Sequence, residues 1–465
     1  MPIQFPPGLM VSVSGFRGRV GDPLTPELVS GLGAAYGAFL QQEGGGDLVV
    51  VGRDSRTSGP MFSRAVIAGL LSAGCRVVDV GVVPTPTVLL EVEYHDAAGG
   101  IAVTASHNPA EWNALKFGVA GGTFLPPDRM ARFQHFVQTR EPDRAPWSEL
   151  KEPVTDDGAI ERHLAAILAL DLIDSDAIAA RGLTVALDCV HGAGGLIMPD
   201  LLTRLGCTVE AIGTKADGRF PRDPEPTAES LSDLGDLVRR SGADVGFAVD
   251  PDVDRLSLVD EAGRPLGEDL TLALAADVVL RRTPGTVVTN LSTSRVVEDV
   301  AKAHGATLVR APVGEINVAS KMMEVGAVVG GEGNGGVILP ALHHTRDAPV
   351  GAALILQYLA DGSAPLSQRV AALPAYRIVK EKMSFSRERL PEAYRSLESA
   401  LAAEGIDHSD GLRLEWPDEG RWLHVRPSGT EPIVRLIAEA PSDVDARDLV
   451  ASARNCLEGV ARGSS

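Results

Sequence analysis

Short apolar, β-branched runs alternate with longer amphipathic stretches along most of the chain. DLVVV at 47–51 has the continuous apolar character of a strand buried on both faces. PMFSRAVIAGLLSAG at 60–74 has helical spacing and stops at Gly74, and RVVDV at 76–80 and GIAVT at 100–104 supply further strands. The theme returns in TVALD at 184–188, a helical stretch to Gly206 and TVEAI at 208–212. It returns again in GTVVTN at 285–290, a helical pattern through His304 and ATLVR. Strand–helix–strand passes of this kind predict mostly parallel sheet. They occupy about 1–150, 155–255 and 256–365, and their sequences differ too much to establish an internal repeat. The end of the chain changes period. WLHVR at 422–426 and PIVRLIAEA at 432–440 alternate like antiparallel strands, and 442–458 predicts an amphipathic helix. The segments 141–156 and 361–375 look like linkers.

Length fits this division, since 465 residues at ~150 per domain give three or four domains. Hydrophobic residues at 44% and charged residues at 23% are ordinary for a globular protein and argue against disorder. The 43 Lys and Arg against 62 Asp and Glu leave a net charge of −19. That field disfavours nucleic acid and anionic lipid as partners, while a local basic pocket for a small anion stays open. No apolar run approaches the ~18 residues of a membrane helix. The N-terminal stretch has no Lys or Arg before Arg17, unlike a signal peptide. Four scattered cysteines without a C-x-x-C pair fit a reducing, cytoplasmic setting.

Four loops carry candidate chemistry. Thr104–Pro109 (TASHNP) follows a strand, where ligands of α/β sheets bind, so Ser106 is a candidate nucleophile or phosphate carrier. It does not form the G-x-S-x-G elbow of hydrolases, and the plain alternative is a hydrogen-bonded turn. Asp250, Asp252 and Asp254 alternate on one tight loop before Arg255. Like charges so close call for a cation, and hard oxygen ligands suit Mg²⁺. Gly331–Gly336 formally matches G-x-G-x-x-G, but VILP follows where a dinucleotide site needs a helix. Glu332 there can accept hydrogen bonds from vicinal hydroxyls. Finally, Arg426 can grip a phosphate bidentately, and the turn at Ser428, Gly429 and Thr430 can offer amide and hydroxyl donors, with Arg435 close by.

These motifs, in this order over nearly the whole length, resemble the α-D-phosphohexomutase family. TASHNP, DPDVDR and RPSGTEP carry the likeness, and Ser14-Gly15-Phe16-Arg17-Gly18 is similar to the family's N-terminal S-G-x-R-G. Gly52–Arg56 also looks familial, and an Arg–Asp-braced loop is its expected role. The resemblance implies an α/β protein of three α/β domains with mixed sheets and a smaller C-terminal α+β domain around a central cleft. The corresponding limits are 1–152 for the phosphoserine loop, 153–255 for the metal loop, 256–366 for the sugar loop and 367–465 for the phosphate loop. It implies Ser106 as the phosphoserine and one Mg²⁺ held by Ser106, Asp250, Asp252 and Asp254. Arg17, Lys116 and Arg255 stand beside the transferring phosphate, although Lys116 by itself also reads as a solvated helix residue. Glu332 and Asn334 meet the sugar, and Arg426, Ser428, Gly429, Thr430 and Arg435 clamp the distal phosphate. The implied partner is a phosphosugar, with hexose 1,6-bisphosphate as activator, and the implied state is monomer or homodimer.

Several positions depart from the family pattern. Asn334 replaces the usual Ser of the sugar loop, and Gly336 stands where a His is common. His343, His344 and Arg346 lie nearby and are candidates to substitute, with a solvated loop as the alternative. The turn Ala311–Glu315 lacks the Lys that some relatives carry after Val-Gly. The Glu-Gly-Asn-Gly-Gly loop with Pro-Val-Gly-Glu looks most like the phosphoglucosamine mutase branch, ahead of phosphomannomutase/phosphoglucomutase. A non-catalytic phosphosugar-binding protein and a metal-dependent phosphatase are the competing classes.

Overall fold

A computed structural model describes residues 2–428 and 433–462. The first sheet has eight strands, and its central four run in the order Arg76–Val82, Leu48–Arg53, Gly99–Val103, Trp112–Val119. The first three are mutually parallel and the fourth turns back antiparallel. The second sheet repeats this order with Thr208–Ile212, Thr184–Asp188, Val245–Val249 and Leu256–Val259. The third does so again with Leu308–Ala311, Val287–Asn290, Val329–Glu332 and Gly336–Ile338. The repetition that the sequences hide is therefore plain in topology. Only apolar character at each strand is needed to keep it, not residue identity.

The fourth sheet is wholly antiparallel, with Ile433–Ala440 and Arg421–Pro427 at its centre, and the helix Asp443–Arg462 packs against it. The mixed α/β architecture with a smaller C-terminal α+β unit is thus present. The second and third units share one apolar core, which includes Leu187, Phe247, Leu272 and Leu356, while the first and fourth have their own.

Some segments differ from their sequence reading. Val154–Thr155, within an expected linker, adds to the edge strand Arg76–Val82, because its backbone satisfies that edge. Leu366–Ala371, in the other expected linker, is a helix anchored by buried Leu366. Leu256–Val259 pairs back onto Val245–Val249, so the expected limit after Arg255 falls inside a hairpin. Lys116 lies on the buried strand Trp112–Val119, not on a solvated helix.

Equivalent hairpins position the chemistry. The loops 104–111, 250–255 and 333–335 each join the third strand of their sheet to the antiparallel fourth. Close approach enforces glycine at two joints. A Cβ on Gly15 would lie 1.9 Å from the Leu115 carbonyl oxygen, and one on Gly335 would lie 2.4 Å from that of Leu256, both at positive φ.

Candidate active site

Ser106 sits at φ 49°, a left-handed conformation that non-glycine residues adopt at a cost. Its loop is held from beneath. Buried Arg56 donates to the carbonyls of Ser106 (2.6 Å), Asn108 (2.6 Å), Pro109 (2.7 Å) and Trp112 (3.0 Å). Asp54 receives the Arg56 Nε at 3.0 Å and the Thr104 hydroxyl at 2.6 Å, and Thr104 in turn accepts from the Ser106 amide at 3.0 Å. The Arg–Asp brace expected of Gly52–Arg56 is thus a strut for the serine turn.

The Ser106 hydroxyl donates to Asp250 Oδ2 at 3.0 Å across the boundary to the second unit. Asp250 Oδ1 accepts the amides of Asp254 and Arg255. Asp252 Oδ2 accepts from Lys116 Nζ at 2.7 Å and from the Thr85 hydroxyl at 2.7 Å. Asp254 Oδ2 accepts from Arg346 at 2.6 Å and faces Lys116 at 3.5 Å. The outer oxygens Asp252 Oδ1 and Asp254 Oδ1 are buried and have no hydrogen-bond partner among the described residues. The three Asp residues offer ligand atoms within 4.8 Å of one another. Asp250 thus has both oxygens held by protein, whereas Asp252 and Asp254 each keep one buried oxygen without a hydrogen bond among the described residues, that of Asp254 lying 3.7 Å from Arg255 Nε. An all-oxygen donor set of this kind fits a hard divalent cation.

Electrostatics separate these groups. Burial, reinforced by Asp254 and Asp252, pushes Asp250 well above the ordinary carboxylate range. Burial acts upward on Asp252 too, but the Lys116 ammonium and the Thr85 hydroxyl outweigh it and hold that group below the range. For Lys116 the order is the same: burial favours the neutral amine, and Asp252 and Asp254 overcome it and raise the pKa. Burial first, then Arg255 and Arg17, lower His107 to about 2, so its ring is neutral at any working pH. Its Nδ1 lies 3.3 Å from the Ser106 hydroxyl.

A cavity of about 450 Å³ opens over this cluster, and all four units line it. Arg17, Ser106 and Lys116 come from the first, Arg255 from the second, Glu332 and Asn334 from the third, and Arg426 and Arg435 from the fourth. Arg17 donates to the Asn108 side chain, and Arg255 pairs with Glu225 at 2.6 Å. Glu332 Oε1 accepts from Asn290 Nδ2 (2.9 Å) and the Gly314 amide (2.9 Å), and Oε2 accepts from Arg346 at 2.9 Å. Asn334 reaches Glu332 at 3.5 Å and accepts from the Gly336 amide at 3.2 Å. Arg426 and Arg435 are cross-strand partners, and Arg426 Nε pairs with Asp410 at 3.0 Å. Buried Ser428 closes the strand end by donating its amide to Ile433. Gly429 and Thr430 lie outside the described residues.

The sequence loops thus converge, and the structure adds members to them. Of the three candidates near the sugar loop, His343 is buried against Asp347 and does not line the cavity, nor does His344. Arg346 does line it, together with Glu315 and Glu225. Glu315 directly follows Val-Gly, so its place was visible, but its pairing with Arg346 (3.3 Å) was not. Thr85 and Arg56 reach the site across 167 and 50 residues of sequence, and no local signal marks them.

The structure is similar to that of a phosphoglucomutase/phosphomannomutase family protein from Burkholderia thailandensis, with a TM-score of 0.84 and 28% identity over 98% of this chain and 99% of that one. Four family models match in order: alpha/beta/alpha domain I at residues 9–143, domain II at 161–263, domain III at 267–376 and the C-terminal domain at 377–455. The chain belongs to the phosphoglucomutase/phosphomannomutase family. It is 39% identical over 461 residues to the "Probable phosphoglucosamine mutase" of Methanopyrus kandleri, spanning 97% of this chain and 99% of that protein. It is 38% identical over 460 residues to the "Phosphoglucomutase/phosphomannomutase" of Thermococcus kodakarensis, spanning 98% and 100%. Among the described residues no helix is long and apolar enough to cross a membrane.

Proposed function

We propose that the chain interconverts hexose 6-phosphate and hexose 1-phosphate through a phosphoserine at Ser106 and a hexose 1,6-bisphosphate, with glucosamine 6-phosphate as the preferred substrate. The observation that carries this reading is the single cavity. Its wall carries Ser106, whose hydroxyl reaches the buried acidic loop, and also Glu332 and the Arg426–Arg435 pair. A phosphatase needs only the first of these.

In this reading Asp250, Asp252, Asp254 and Ser106 hold one Mg²⁺, which neutralises phosphate charge when bound. Arg426, Ser428, Gly429, Thr430 and Arg435 bind the phosphate that does not react. Glu332 and Asn334 fix the sugar hydroxyls, which places the free hydroxyl opposite Ser106. The P–O bond to Ser106 Oγ breaks as the sugar oxygen bonds to phosphorus, the proton lost by the sugar hydroxyl is balanced by the one Ser106 Oγ regains, and Lys116, Arg17 and Arg255 offset the charge on the moving group. The bisphosphate then turns end for end, and its other phosphate returns to Ser106. Binding at the distal clamp also draws the fourth unit over the cavity and excludes water.

Glucosamine is favoured because the Glu332–Gly336 loop and the Pro312–Glu315 turn, both of which contribute to the cavity wall, look most like the phosphoglucosamine mutase branch. The name of the Methanopyrus kandleri relative agrees. The name of the Thermococcus kodakarensis relative favours a second reading, in which glucose and mannose phosphates are the substrates. Phosphorus NMR decides between them. The protein is given Mg²⁺, a trace of hexose 1,6-bisphosphate and, in turn, the 6-phosphates of glucosamine, glucose and mannose. Signal should move from the 6- to the 1-position, fastest for glucosamine. Fastest turnover of glucose or mannose establishes the second reading, and release of inorganic phosphate alone contradicts both.

A further inference from the structure

Arg346 is 7% exposed and donates to carboxylates from two units, Asp254 at 2.6 Å and Glu332 at 2.9 Å, and its Nε lies within ion-pair distance of Glu315 at 3.3 Å. The side chain has its own berth. A Cβ on Gly336 would lie 2.2 Å from Arg346 Cδ, so the missing side chain at 336 makes room for the arginine. The backbone on either side is also fixed. The Arg346 amide donates to Glu315 at 2.8 Å, the Asp347 amide to the Val337 carbonyl at 2.8 Å, and the Ala348 amide to the Val253 carbonyl at 3.1 Å. Asp347 accepts from His163 at 2.8 Å and His343 at 2.9 Å, both buried.

We propose that Arg346 is a positioning residue that couples the acidic loop to the sugar-facing carboxylate, one guanidinium holding both Asp254 and Glu332. This rests on the mutase reading above. One cation among three carboxylates is contested. Toward a divalent cation it acts as a competitor, because it neutralises Asp254 and adds like charge. Toward the sugar it acts as a support, because it fixes Glu332 as an acceptor-only carboxylate. Removing it should therefore move the two affinities in opposite directions. Loss of local structure would lower both.

The test is made in a Ser106→Ala background, which blocks turnover. Mn²⁺ binding is read by electron paramagnetic resonance and hexose 1,6-bisphosphate binding by calorimetry. Adding Arg346→Gln should tighten Mn²⁺ by about threefold or more. It should weaken the bisphosphate by about tenfold, the scale of one charge-assisted hydrogen bond. Arg346→Lys keeps the charge but not the fork, so Mn²⁺ affinity should return to that of the parent and bisphosphate affinity only part of the way. Two affinities that fall together, or a bisphosphate loss without tighter Mn²⁺, overturn the coupling. If the Ser106→Ala protein itself binds no bisphosphate, the mutase reading fails as well. If it binds and Arg346→Gln changes nothing, only the role of Arg346 fails.

Discussion

The loops 250–255 and 331–336 occupy the same place in two sheets of identical strand order, yet they are finished in opposite ways. Asp252 and Asp254 each keep one buried oxygen without a hydrogen-bond partner among the described residues. Glu332 is surrounded by donors from Asn290, Gly314, Arg346 and Asn334. The scaffold supplies a position at the mouth of the cleft, and the number of donors around the carboxylate decides its chemistry. Undersatisfied acids invite a cation. A carboxylate met by several donors is held in place, ready to accept hydroxyl hydrogens.

The third loop of the set, 104–111, depends on neither device but on Arg56. Arg56→Met should cost about 3–5 kcal/mol, because it strips a buried pair of its cation and frees four carbonyls. A urea unfolding curve reads this, and a change under 1 kcal/mol would mean that the strut is redundant. At the acidic loop, Asp252→Asn removes the carboxylate that Lys116 and Thr85 orient. Turnover should fall by about 10²–10³-fold, with weaker Mn²⁺ binding measured in parallel.

Asp269 lies under the other loop, since a Cβ on Gly333 would sit 2.1 Å from its Oδ1. Burial raises it to about 7. The folded chain therefore holds a proton between about pH 4 and 7 that the unfolded chain has released, so stability falls as pH rises across that window. Asp269→Asn should remove this slope and stabilise the protein by about 1–3 kcal/mol at pH 8, with little difference near pH 4. Melting temperatures at the two pH values check it, and equal shifts at both would contradict it. Glu332→Gln is the mildest change. It should raise KM by about tenfold and, by leaving Arg346 to Asp254, weaken Mn²⁺ binding by less than Asp252→Asn does.

Much of this was legible in the sequence. Strands such as Gly99–Val103 and Val245–Val249 announce themselves as apolar runs, and the polar or charged loops after them stand out because such composition is unusual next to a buried strand. What stayed hidden depends on long-range pairing. Leu256–Val259 has the pattern of any buried strand, and only its partner Val245–Val249 places it in the second sheet. The threefold repetition is carried by strand order, which apolar residues of any identity satisfy. Lys116 looks like one more surface cation until Ala102 beside it and Asp252 across the boundary show that it is buried and paired. Arg346 lies beyond the Gly331–Gly336 loop in a stretch that also offers His343 and His344, and only the room left by Gly336 selects it.

The most direct measurement is of Ser106 itself. The protein, freed of bound phosphate, is incubated with hexose 1,6-bisphosphate and Mg²⁺, and its intact mass and peptides are determined. A gain of one phosphoryl group located at Ser106, absent in Ser106→Ala and absent without the divalent cation, is the predicted result. Phosphate on another residue, or an unmodified protein that still interconverts the two hexose phosphates, would contradict a phosphoserine mechanism.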